Sequence, residues 1–252
     1  MLDLLRLRMR HGNQAIPDVV GAELMETHRG FPQIDESKYP GDWQKVIDIC
    51  PSGAIAKNPV SVDLGKCVFC GECEKISGGA IKFTNRHKTG CTDRSRLVVY
   101  SGGGYEEFRE KAIEAREEIH KLFGHSLKLR QVSAGGCNGC EMELNACSNV
   151  NFDMGRFGID FVASPRHADG LVITGPITRN MAPALRDAYN SISEPKIVIA
   201  VGACAISAGV FSGSDQLNRS FLEEIKIDLF VPGCPPHPLT FINAVLEFIG
   251  KA

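Results

Sequence analysis

Lys196-Ile-Val-Ile-Ala-Val-Gly-Ala-Cys204 joins an unbroken apolar run to a glycine and a cysteine. An apolar run with no polar face fits a strand covered on both sides, and such strands belong to parallel sheets. The same texture recurs outward from it. Residues 127–132, 158–163, 170–174 and 227–231 are further short apolar runs, and helical stretches are expected near 142–147, 181–190 and 238–249. Apolar runs alternating with helices predict an α/β domain whose parallel sheet is covered on both faces. Cysteines follow three of these strands, at 137/140, 204 and 234. Ligands of open α/β sheets lie beyond the carboxyl ends of the strands, so Cys137, Cys140, Cys204 and Cys234 are expected to converge.

Nearer the N-terminus the cysteines are grouped differently, as Cys50-Pro51 and Cys67-x-x-Cys70-x-x-Cys73. Bacterial ferredoxins hold a 4Fe-4S cluster with three close thiolates and a remote Cys-Pro. In two-cluster ferredoxins the run C-x-x-C-x-x-C-x-x-x-C-P occurs twice, and the fourth cysteine of each run serves the other cluster. Laid on this chain, the vacated ligand positions are Pro40, Trp43, Val46 and Ser77. One ligand set is absent as a whole while the other, Cys50, Cys67, Cys70 and Cys73, is intact. The repeated tails Cys50-Pro-Ser-Gly-Ala-Ile and Ser77-Gly-Gly-Ala-Ile support the pseudo-symmetry. The segment resembles a ferredoxin that has given up one of two clusters and filled the space with its tryptophan. Zinc is the alternative, since it also takes thiolates from C-x-x-C knuckles. Zinc ribbons pair two knuckles, however, and give no reason for Cys-Pro or the doubled Gly-Ala-Ile.

The second half carries a more specific likeness. Gly136-Cys-Asn-Gly-Cys-Glu-Met-Glu143, Ser164-Pro-Arg-His-Ala-Asp169, Gly175-Pro-Ile-Thr-Arg-Asn-Met-Ala-Pro-Ala-Leu185, Val201-Gly-Ala-Cys204 and Val231-Pro-Gly-Cys-Pro-Pro236 occur in this order. Together they resemble the small subunit of membrane-bound nickel-iron hydrogenases and the related complex I subunit that carries the terminal cluster. The resemblance implies a flavodoxin-like parallel-sheet domain over 128–252, with Cys137, Cys140, Cys204 and Cys234 holding a 4Fe-4S cluster that faces a catalytic large subunit. Complex I has adjacent cysteines at the first ligand pair, whereas Cys137 and Cys140 are separated by Asn138-Gly139, as in hydrogenases. Exported hydrogenases carry a twin-arginine signal and a C-terminal extension with further clusters, and this sequence shows neither. The likeness therefore points to the complex I-like, energy-converting, formate hydrogenlyase type of group. It implies two 4Fe-4S clusters in all, and as partners a hydrogenase-type large subunit, other iron-sulfur and membrane subunits, and a ferredoxin or a formate- or CO-oxidising module, with the direction of electron flow left open. A related assembly that lacks nickel and reduces a quinone is the alternative role.

Four regions are expected: an extended docking arm over 1–38, the ferredoxin-like α+β domain over 39–84, a connector over 85–127 and the α/β domain over 128–252. The arm shows no sustained period. The short ferredoxin-like segment buries little without a cluster to staple it. In the connector, Phe108, Ala112, Ala115, Ile119 and Phe123 lie at helical steps opposite Glu107, Lys111, Glu114, Glu118 and Lys121, predicting one amphipathic helix after the Gly102-Gly103-Gly104 hinge. A net charge of −2 without a basic run offers no field for a phosphate backbone, so no nucleic-acid partner is expected. Leu2, Leu4, Leu5 and Leu7 alternate with Asp3, Arg6, Arg8 and Arg10, which is no continuous signal core. A cytoplasmic location is expected, peripheral on the inner face of the membrane through partner subunits, where thiols stay reduced and clustered cysteines serve metals. Cys91 and Cys147 are expected to be non-ligands and His237 redundant as one. Glu141 and Glu143 suit either proton relay or the dipole of a first helical turn. Arg166, His167 and Asp169 suit either a subunit interface or a loop-fixing contact. The sequence holds no complete catalytic nucleophile or acid–base pair.

Overall fold

The computed structural model describes residues 2–12, 14–114 and 117–251. The chain opens with α1 (Leu2–His11), on which Leu4, Leu5, Leu7 and Met9 are exposed. A helix replaces the extended start expected of the arm because Leu, Met and Arg are good helix formers. Asp3 in its first turn and Arg8, Arg10 and His11 in its last complement the dipole. Beyond it the chain runs irregularly. Ile16 donates its N–H to the Asn151 carbonyl (2.8 Å), and Asn243 Nδ2 donates to the carbonyl of buried Val19 (2.9 Å).

The next elements are β1 (Pro32–Ile34), α2 (Trp43–Asp48), β2 (Ile55–Lys57), β3 (Val60–Asp63), α3 (Glu72–Ile76), β4 (Ile81–Phe83) and β5 (Val98–Tyr100). β1 pairs antiparallel with β4, and β2, β3 and β5 form an antiparallel sheet in that order. Part of the expected arm, Pro32–Ile34, is thus a strand. Phe31 just before it and Ile34 at its end are buried, so the adjoining backbone groups need partners within the protein.

The connector is two short helices, α4 (Tyr105–Glu110) and α5 (Glu117–Phe123), where one was expected. The break has a tertiary cause. Thr92 donates its N–H to the Ala112 carbonyl (2.9 Å), and its Oγ1 accepts from Glu114 N (3.3 Å), so these groups leave the helical ladder. Ala112 is buried as its place in the stripe requires, while Ala115 lies outside the described residues.

The remainder is β6 (Leu127–Ser133), α6 (Gly139–Ala146), β7 (Ile159–Phe161), β8 (Gly170–Thr174), α7 (Ala182–Ser191), β9 (Ile197–Val201), α8 (Gly202–Ser207), α9 (Ser220–Glu224), β10 (Leu229–Val231) and α10 (Pro238–Phe248). Five parallel strands lie in the order β10-β9-β8-β6-β7. Counted within this domain that is 2-1-3-4-5 read from the other edge, the flavodoxin-like order, with its switch point between β6 and β8. Every residue of β8 and β9 is buried, as the uninterrupted apolar runs require.

Both faces of the sheet are covered, by different partners. Leu127, Val172, Ile199 and Val231 pack under α10, whose residues are buried almost throughout. Ile173, Ala200 and Ile206 share a core with Trp43, Val62 and Leu64 of the preceding module and Leu97 of the connector. Ser207 Oγ also donates to the Gly65 carbonyl (2.8 Å), fixing α8 to the segment that leads into Cys67. The small module therefore serves as one cover of the parallel sheet.

Candidate metal centres

Cys50, Cys67, Cys70 and Cys73 line one small pocket, with Ala54, Ile55, Val62 and Phe83 as its apolar walls. Cys50 follows α2, Cys67 and Cys70 lie on the turn after β3, and Cys73 is in α3. The turn curls because Phe69 (φ 53°) and Gly71 (φ 79°) are left-handed, a conformation rare for a residue such as phenylalanine. Backbone N–H groups already point at sulfur: Ala54 N at Cys50 Sγ (3.2 Å) and Phe69 N at Cys67 Sγ (3.3 Å). Cys67 and Cys73 are buried, Cys50 is half-buried and Cys70 is exposed. Burial, then the charges of Cys50 and Cys70, push the Cys73 thiol up to about 12. Cys67 rises for the same reasons, with Cys73, Cys50 and Cys70 all acting on it after burial and the opposing Phe69 N–H. Buried thiols that repel one another and receive N–H donors fit a cationic iron core that holds them as thiolates.

The vacated positions are occupied by packing. Trp43 and Val46 are buried, with Tyr39 edge-on to Trp43 at 5.4 Å between ring centroids, and buried Ser77 accepts from Ile81 N at 3.1 Å. Pro40 is exposed.

The second group stands at the carboxyl end of the parallel sheet. Cys137 follows β6, Cys140 is in the first turn of α6, Cys204 in α8 after β9, and Cys234 follows β10. α6 begins earlier than periodicity predicts because the turn after Cys137 opens it directly, through Asn138 at φ 70°. Gly202, at φ 87°, has no room for a side chain: a Cβ would lie 2.5 Å from Cys140 Sγ. A Cβ on Gly209 would lie 3.4 Å from Cys204 Sγ. Two loops thus leave open the space around sulfur, as a cluster requires. Burial, then the charges of Cys234 and Cys137, raise the Cys204 thiol to about 11. Cys140 is raised by burial and then by Glu141, Cys204, Cys234 and Cys137. This donor set fits the same kind of core. Among the described residues no three His, Cys, Asp or Glu side chains are placed to hold a single metal ion.

The two groups are neighbours. After burial, Cys137 of its own set and Cys70 of the other raise the Cys234 thiol. Beside Cys234 lies a cleft of about 250 Å³, lined also by Phe69, His28, His87 and His237 among others. His28 and His237 meet edge to face at 5.9 Å, and buried His87 has an unpartnered Nε2 among the described residues. Nothing local in the sequence singles out these three imidazoles, because they come from segments joined only by the fold.

Arg219 is also invisible to motif reading. Its Nη1 donates to the carbonyls of Pro176 and Cys204 (3.0 Å each) and its Nη2 to that of Ala205 (2.8 Å). The remaining candidates fall outside the cysteine groups. Cys147 is a core thiol that donates to the Glu143 carbonyl (3.3 Å), and buried Cys91 pairs through its backbone with Phe230. Buried Glu141 accepts from Thr174 Oγ1 at 2.6 Å, and half-buried Glu143 has its carboxyl pushed up by burial. Arg166 and His167 are exposed, whereas Asp169 Oδ2 accepts from Lys128 N (2.7 Å) and fixes the start of β6. His237 Nδ1 accepts from Leu239 N (3.1 Å), capping α10. No helix among the described residues is long and apolar enough to cross a membrane.

Residues 137–248 match the family model of the NADH ubiquinone oxidoreductase 20 Kd subunit. A probable membrane-bound hydrogenase subunit of Pyrococcus furiosus is 40% identical over 142 residues, covering 56% of this chain and 85% of that one. Formate hydrogenlyase subunit 7 of Escherichia coli K12 is 42% identical over 149 residues, covering 56% and 55% respectively. An NADH-quinone oxidoreductase subunit of Geotalea daltonii is 40% identical over 112 residues, covering 44% and 65%. With the parallel sheet and the cysteines at its carboxyl edge, these matches place the chain: it belongs to the family of the NADH ubiquinone oxidoreductase 20 Kd subunit.

Proposed function

We propose that the chain is an electron-transfer subunit of a membrane-associated oxidoreductase complex, relaying electrons between an external carrier and a nickel-iron active site in a partner large subunit. Cys50, Cys67, Cys70 and Cys73 hold one 4Fe-4S cluster, and Cys137, Cys140, Cys204 and Cys234 hold a second. Each cluster, when bound, takes up and releases one electron with little rearrangement. The observation that carries this reading is that the fold gathers two four-cysteine groups, one lining a single pocket and one at the carboxyl end of the sheet, with Cys70 of the first near enough to act on the Cys234 thiol of the second. The names of the relatives, membrane-bound hydrogenase and formate hydrogenlyase, favour the hydrogenase type of complex.

The chain's own residues do the rest. Glycines 202 and 209 keep space beside Cys140 and Cys204, and N–H groups of residues 54 and 69 face sulfur. Met142, Val210 and Phe211 are exposed on and just after the elements that carry Cys140 and Cys204, an apolar rim for the catalytic partner. Helix α1, with four exposed apolar side chains, docks on another subunit and keeps the chain peripheral to the inner membrane face. The domain division follows the same lines: a docking segment over 1–38, a one-cluster ferredoxin-like module over 39–84, a connector over 85–127 and the cluster-bearing sheet domain over 128–252.

A second reading has its own support in the match to an NADH-quinone oxidoreductase: the same relay in a complex without nickel that reduces a quinone. Two C-x-x-C pairs in the partner large subunit decide for nickel, and their absence decides against it. Iron and acid-labile sulfide analysis of the anaerobically purified chain tests both readings. About eight of each per chain are expected for two cubes. Zinc without sulfide refutes the relay and leaves a zinc-stabilised module.

A further inference from the structure

Arg219 belongs to none of the cysteine motifs, yet the fold delivers it to one of the ligands. The segment before it is pinned by backbone pairing: Thr178 and Leu217 form an isolated bridge, and Asn218 donates its N–H to the Ile177 carbonyl (2.9 Å). Ile177 is buried and held at φ 65°, a strained conformation for a β-branched residue. Arg219 then reaches the last turn of α8. Its three hydrogen bonds, at 2.8 to 3.0 Å, end on the carbonyls of Pro176, Cys204 and Ala205.

Capping carbonyls at a helix end is an ordinary task for arginine. Here one of those carbonyls belongs to a ligand cysteine, so a permanent positive charge is fixed beside the backbone of Cys204. That placement has a redox consequence. Adding an electron makes an iron–sulfur site more negative, and a fixed cation favours the more negative form.

We propose that Arg219 is a positioning residue that raises the reduction potential of the group held by Cys137, Cys140, Cys204 and Cys234. The inference rests on the two-cluster reading given above. Charge, rather than the hydrogen bonds alone, is the operative property.

The test uses the full chain, purified anaerobically with its iron and sulfide and titrated with dithionite as one-electron donor while EPR signals are recorded. Arg219→Gln keeps amide donors without charge, and Arg219→Lys keeps charge without the guanidinium fork. Arg219→Gln is expected to lower the reduction constant of the second group about tenfold, which is about 59 mV for a one-electron couple. The first group stays unmoved, and Arg219→Lys titrates like the wild type. A wild-type potential in Arg219→Gln at full iron content overturns the proposal. So does an Arg219→Lys shift as large as that of Arg219→Gln. Where Arg219→Gln loses the iron of the second group, Arg219→Lys decides alone: a wild-type potential supports the charge effect and a lowered one refutes it. A wild-type chain with no iron at the second group defeats the underlying reading, a result distinct from an unmoved potential.

Discussion

Gly202 shows how closely backbone conformation and thiol placement are joined. Its φ of 87° admits alanine only at a cost of about 1–2 kcal/mol, and the added methyl meets Cys140 Sγ at 2.5 Å. Gly202→Ala is therefore expected to halve the iron content of the anaerobically purified chain while leaving the first group loaded; unchanged iron would show that the Cys140 loop yields to the methyl. Cys70 offers the complementary case. It is the exposed member of its set and lies toward Cys234. Cys70→Ser is expected to abolish one reducible EPR signal and to spare the other, and persistence of both would remove Cys70 from the ligand set. Both cysteine groups could be picked out in the sequence, because the number of cysteines, their separation and their places after apolar runs are written there directly. The role of Gly202 was not legible there. Its partner sulfur, far upstream in the chain, becomes known only when β9 and the α6 turn come together.

Strands β8 and β9 coincide with their apolar runs to within a residue, since burial on both faces leaves no polar alternation to blur the ends. Helices were less faithful to their pattern. The connector keeps the predicted buried face at Ala112 and Phe123, yet breaks between them because Thr92 takes the Ala112 carbonyl and accepts from Glu114 N. Such a break is a tertiary event, and propensity carries no trace of it. The irregular run after α1 is held in the same way, by single long-range bonds. Fully buried Asn243 donates to the carbonyls of Val19 (2.9 Å) and Leu239 (2.8 Å) from the middle of α10. Asn243→Ala leaves the Val19 carbonyl unsatisfied, a loss of about 1–3 kcal/mol. Faster limited proteolysis at Arg29 is the expected outcome, with the urea midpoint of the chain only modestly lowered. Equal cleavage rates would mean that Val19 is held by packing alone.

The sequence reads as two cysteine-bearing modules on one chain, but not as modules that share a core. No local pattern reports that Leu64 and Ile206 belong to one core across the boundary. The cleft with His28, His87 and His237 arises at that junction and carries a pH signature. Burial, then the charges of His237, Lys88, His28 and Arg109, lowers His87 to about 4 from 6.5. Burial, then His28, lowers His237 to about 4 as well. A histidine depressed in the folded state stays neutral where the unfolded chain binds a proton, so stability falls as pH drops from about 6.5 toward 4. Glu143, raised by burial, acts in the opposite sense. At about 1.4 kcal/mol per pKa unit, His87 alone removes on the order of 2–3 kcal/mol across the window. The urea midpoint is therefore expected to decline steadily between pH 6.5 and 4.5. His87→Leu, which removes one of the two depressed imidazoles and its unpartnered Nε2, is expected to roughly halve that decline, with His237 supplying the rest. A midpoint that stays level over this range in the wild type would show that the cleft admits a proton without opening.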